Sequence, residues 1–115
     1  MARIITIEFP VFSDFIFHVE ISKDFDKTIK KYPSIAHLSG DNDNCDAVTL
    51  HSGGLVVFIF FHPNPSVGNI AHESWHALRH MFNTVGVELD SETVAYHLGF
   101  TVNSIFKFVR GKRRG

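Results

Sequence analysis

Residues 55–85 read LVVFIFFHPNPSVGNIAHESWHALRHMFNTV, and a change of period within them decides the fold class. Leu55 to Phe61 is an unbroken apolar run, so it predicts a strand placed centrally in a sheet or covered on both faces. Pro63 and Pro65 then break the chain. From Gly68 to Val85 the apolar residues Ile70, Trp75, Ala77, Leu78, Met81, Phe82 and Val85 recur within one arc of a helical wheel, and Gly86 is a natural stop.

Upstream, the turn residues Ser52-Gly53-Gly54 separate the central strand from Ala47–His51, which predicts a hairpin. Arg3 to Phe9 alternates, with Ile5, Ile7 and Phe9 on one face. Asp14 to Ile21 repeats the pattern, with Phe15, Phe17, Val19 and Ile21 inward and Ile16, His18 and Glu20 outward, so these two strands predict a second hairpin. Ser22 is the expected N-cap of a short helix to about Tyr32 that buries Phe25, Ile29 and Tyr32 and stops at Pro33. Residues 40–46 form a polar loop without the glycine and final glutamate of a calcium-binding EF-hand loop. Downstream, Asp90 or Ser91 caps a second long helix that buries Val94, Ala95, Leu98, Val102, Ile105, Phe106 and Val109. The order strand-strand-helix-strand-strand-helix-helix predicts an α+β fold, a small, mostly antiparallel sheet with helices packed on it.

A chain of 115 residues with 44% hydrophobic content is enough for one core and too short for two. We read residues 1–109 as one domain and 110–115 as a basic tail. The net charge of −1 hides an asymmetry: Lys107, Arg110, Lys112, Arg113 and Arg114 fall in the last nine residues, leaving six basic against twelve acidic side chains in residues 1–106. A basic tail on an acidic body is either a solubilising end that complements the dipole of the last helix or a contact for nucleic acid; the first is the expectation. Cys45 is alone, so no intrachain disulfide forms, and the N-terminal residues lack the long apolar core of a signal peptide. The expectation is a cytoplasmic protein with no membrane role; the oligomeric state is not legible.

The segment Ala71-His72-Glu73-Ser74-Trp75-His76 is an H-E-x-x-H motif inside the helical stretch. Residues four apart share a helix face, so His72 and His76 can present imidazoles to one metal ion. Glu73 is displaced around the helix and serves as the base for an attacking water, whose pKa a zinc ion lowers toward neutrality. A catalytic zinc usually takes three protein ligands. The helix beyond Gly86 offers Glu92 and His97, and the connection allows Glu92 to return: His76 lies roughly 12 Å before the helix end, and the linking residues span about 20 Å when extended. His80 would sit about 12 Å from His72, too far to share its ion.

The pair of segments AHESWH (71–76) and SETVAYHLG (91–99) resembles the gluzincin metallopeptidases, in particular small phage-encoded HExxH proteins and the ImmA/IrrE-type peptidases. The resemblance covers about residues 68–106. It implies Zn2+ held by His72, His76 and Glu92, with Glu73 as general base and the hydrolysis of a peptide or protein substrate. Tyr96 stands where thermolysin-like relatives carry an aspartate, which gives it the role of holding Glu92 or donating to a developing oxyanion. Metzincins require a glycine at Arg79 and a histidine at Phe82, and this chain has neither. The alternative is a zinc-binding regulatory or host-interaction protein without catalysis, in which the metal serves stability.

Overall fold

The strands sort themselves by how many faces they must bury. In the computed structural model, which describes residues 3–86 and 90–111, β1 (Arg3–Glu8), β2 (Ile16–Ile21), β3 (Ala47–Leu50) and β4 (Val56–Phe61) form one sheet in the order β1-β2-β4-β3. Pairings β1–β2 and β3–β4 are antiparallel, as the two expected hairpins require. The hairpins are joined by a parallel pairing of β2 with β4, with Val19 opposite Ile59. The apolar β4 therefore lies inside the sheet, and the short β3 stands at an edge.

Helices α2 (Val67–Val85) and α3 (Ser91–Gly111) cover one face. There Ile7, Phe17, Val19, Val57, Ile59 and Phe61 meet Ile70, Ala77, Leu78, Met81 and Phe82 of α2 and Ile105 of α3, all buried. Burying one of the larger of these side chains contributes about 1.5–3 kcal/mol. On α3 the most buried positions are His97, Thr101 and Ile105, one helical stripe, while Ala95 is exposed rather than buried. Val85 is likewise exposed at the end of α2.

The opposite face is also covered. Helix α1 (Phe25–Ile29) and a short 3-10 turn (Ala36–Leu38) lay Phe25, Ile29 and Ile35 over Phe58 and Phe60 of β4. The cap of α1 is Asp24, whose carboxylate accepts from the Lys27 amide at 3.2 Å, and not Ser22, whose hydroxyl sits 2.6 Å from that of Thr28. The face of β2 expected to point outward is consequently inside: Glu20 is 1% exposed, accepts from the Tyr32 hydroxyl and lies 3.0 Å from Nε2 of His18. Burial and the Glu20 carboxylate push the Tyr32 phenol well above its ordinary pKa. Among the described strands, β1 keeps a bare outer face, with Ile4, Thr6 and Glu8 exposed. Among the described residues, no helix is long and apolar enough to cross a membrane. The end of the basic tail, residues 112–115 with its last three basic side chains, lies outside the described residues.

Candidate metal centre

Helix α2 is fixed at both ends by local chemistry. The Ser66 hydroxyl accepts from the Asn69 amide at 3.0 Å, and Gly86 ends the helix with φ 73°, a left-handed conformation that glycine adopts without a Cβ penalty. Between those ends, Ile70, Ser74, Ala77, Leu78 and Met81 face the sheet. The next stripe round carries His72 and His76, both exposed. Their Nε2 atoms converge to 3.0 Å. Two imidazole donors of one tetrahedral zinc sit about 3.3 Å apart, given bonds near 2.05 Å, so the pair fits a chelated divalent ion.

Glu73 does not lie on the exposed stripe with the histidines. It is 7% exposed and turns toward the sheet, where the Thr49 hydroxyl of β3 donates to its Oε1 at 2.7 Å. Its other oxygen, Oε2, lies 3.9 Å from Nε2 of His72. One carboxylate oxygen is thus held by the edge strand and the other faces the histidine pair, where a base for an attacking water belongs.

A cavity of about 370 Å³ opens between helix and edge strand, lined by Ala47, Val48, Thr49 and His51 from the strand side and His72, Glu73 and His76 from α2. Thr49 and His51 carry no motif, and sequence reading misses both. Their signal is positional: they alternate along edge strand β3 and its end, but which face of that strand the HExxH helix covers depends on tertiary packing. The His51 ring stacks on His80 with centroids 3.6 Å apart. Partial burial, and then repulsion from His80, hold its pKa below the ordinary histidine value.

The fold brings together His72, Glu73 and His76 and leaves the α3 candidates apart. Glu92 is exposed on the first turn of α3, beside the cap formed by Asp90, whose Oδ1 accepts from the Thr93 amide at 2.8 Å. Tyr96 is 64% exposed, and neither residue lines the cavity. His97, the competing third ligand, is a core residue: Nδ1 donates to the Thr93 carbonyl at 2.8 Å, and the ring packs among Phe9, Phe12 and Phe82. Among the described residues, no three His, Cys, Asp or Glu side chains converge as a full metal-ligand set. The third position assigned to Glu92 by resemblance is thus not assembled here: Glu92 is exposed and lies outside the cavity lining. No protein-family model, curated protein or solved structure matches the chain, so the likeness to gluzincins rests on its own residues.

Proposed function

We propose that the chain is a zinc-dependent metallopeptidase of the cytoplasm in which His72 and His76 hold the ion and Glu73 is the general base. The observation that carries this reading is the convergence of two Nε2 atoms at 3.0 Å beside a carboxylate whose orientation Thr49 fixes. A divalent ion at that pair supplies Lewis acidity, which lowers the pKa of water and polarises a carbonyl. Glu73 accepts the proton of the attacking water and later delivers it to the departing amine. Its near-complete burial keeps bulk water from competing for the carboxylate.

The substrate is an extended peptide. β3 pairs with β4 along one side, and among the described residues no strand pairs with the other. Ala47, Val48 and Thr49 of that strand line the cleft wall opposite the histidines. A peptide added along this edge gains main-chain hydrogen bonds and passes beside the metal pair.

The test compares wild type with Glu73→Gln, His72→Ala and Glu92→Ala on a broad peptide library, with zinc content measured in parallel. Glu73→Gln keeps shape and removes the proton acceptor, so it should lose about 10²–10⁴-fold in rate while retaining zinc. His72→Ala should lose the metal, and Glu92→Ala should keep it. Loss of zinc in Glu92→Ala would return that residue to the ligand set. Wild type that binds zinc and cleaves nothing would replace the peptidase with a regulatory zinc-binding module.

A further inference from the structure

The cleft contains one imidazole that the metallopeptidase reading does not use. His51 follows β3, two residues beyond Thr49, and lines the same cavity as His72, Glu73 and His76. Its tautomer is set by its surroundings: the Gly53 amide donates to Nδ1 at 3.0 Å. Nδ1 is therefore the bare nitrogen, and the neutral ring carries its proton on Nε2. Among the described residues, that Nε2–H has no hydrogen-bond partner. The ring is also braced, since it stacks on His80, whose own Nε2 donates to the Gly54 carbonyl at 3.1 Å in the turn after β3.

A braced, neutral imidazole with a free N–H on the wall of a hydrolytic cleft is a preorganised hydrogen-bond donor. We propose that His51 donates from Nε2 to the oxygen of the scissile carbonyl as it becomes an oxyanion, one of the two roles that the resemblance leaves open for Tyr96. The inference rests on the metallopeptidase reading above. As the water oxygen bonds to the carbonyl carbon, the π pair moves onto the carbonyl oxygen and Glu73 takes the water's proton. The Nε2–H stabilises that oxygen. Collapse re-forms the carbonyl, breaks the C–N bond and sends the proton held by Glu73 to the amine nitrogen. His51 exchanges no proton and binds no metal in this sequence.

The same residue arrangement favours His51 over Tyr96 for that role. Both side chains are exposed, but Tyr96 is carried on α3 outside the cavity lining, whereas His51 lines the cavity and is held by the strand end, the Gly53 amide and the His80 ring.

The experiment measures kcat, KM and zinc content for wild type, His51→Ala, His51→Gln and Tyr96→Phe, together with the affinity of a phosphinic peptide whose tetrahedral group mimics the oxyanion. His51→Ala should lower kcat by about 10²–10³-fold with KM and zinc near wild type, and should weaken the phosphinate by a similar factor. His51→Gln, which keeps a donor of similar reach, should recover part of both, and Tyr96→Phe should change neither. Imidazole 15N shifts of wild type should report a neutral ring at His51 with its proton on Nε2. An active wild type with His51→Ala within about threefold of it would overturn this inference alone. Equal losses in the alanine and glutamine variants, accompanied by a lowered melting temperature, would also overturn it by assigning His51 a structural role. Wild type that neither cleaves peptides nor binds the phosphinate would overturn the peptidase reading as well.

Discussion

Glu73 can act as a base only if its carboxylate is held in one orientation, and that task falls to Thr49. The hydroxyl donates to Oε1 at 2.7 Å from a strand separated by 24 positions in sequence. A carboxylate accepting from a fixed donor loses rotational freedom, which leaves Oε2 on the side of His72, 3.9 Å from its Nε2. Thr49→Val removes the donor with little change of volume. We expect kcat to fall about 10- to 100-fold, the range for groups that orient reactive side chains, with zinc content unaltered. Thr49→Ser should recover most of the rate, because the hydroxyl returns. Activity measurements paired with metal analysis check this; wild-type kcat in the valine variant would show that burial alone orients Glu73.

At the scale of elements, short α1 stays in place through the loop that follows it. The Asp26 carboxylate accepts from the amides of Gly40 and Asn42 and from the Asn42 side chain. The Gly40 bond first, and Asn42 next, hold its pKa below the ordinary value of 3.8. A depressed carboxylate pKa contributes stability that is complete above the unfolded value and is lost as pH falls through the folded value. Asp26→Asn should therefore be less stable than wild type at neutral pH, and the gap should narrow as pH falls below 3.8 and through the lowered folded value. Denaturant midpoints across pH read this directly; a gap independent of pH would mean the charge is not what ties the loop. Sequence reading recovered much at this scale. Both hairpins, the inward faces of β1 and β2, and the span of α2 with its Gly86 stop follow from periodicity and end signals that act within a few residues. The parallel pairing of β2 with β4 was not legible, because register between strands far apart in sequence is set by packing on both faces. For the same reason Glu20 and His18 looked solvent-facing: alternation marks two faces but not whether α1 will cover the second. In the site, the His72-Glu73-His76 motif was legible because its spacing is local, whereas Thr49 and His51 reach it through the fold, and Glu92 leaves it by the same route.

Over the whole molecule, a single strand couples two cores. Val57, Ile59 and Phe61 of β4 face the α2–α3 layer, and Phe58 and Phe60 face the α1 layer. Neither layer can leave without stripping one side of that strand, so the two cores should unfold together. Ile29 tests this, being fully buried on the α1 side, while the HExxH helix lies on the other. Ile29→Ala deletes buried methyl groups and should cost about 2–5 kcal/mol. The chain's one tryptophan, Trp75, sits on α2 between the proposed metal ligands and reports the far layer. Urea unfolding followed by Trp75 fluorescence and by far-ultraviolet circular dichroism should give coincident midpoints, both lowered together by Ile29→Ala. Zinc affinity of the folded variant should match wild type, because no cleft residue touches Ile29's layer except through β3 and β4. A Trp75 midpoint that stays in place while the dichroism splits into two transitions would show that the α1 layer melts by itself, leaving α2 on a sheet covered on one face.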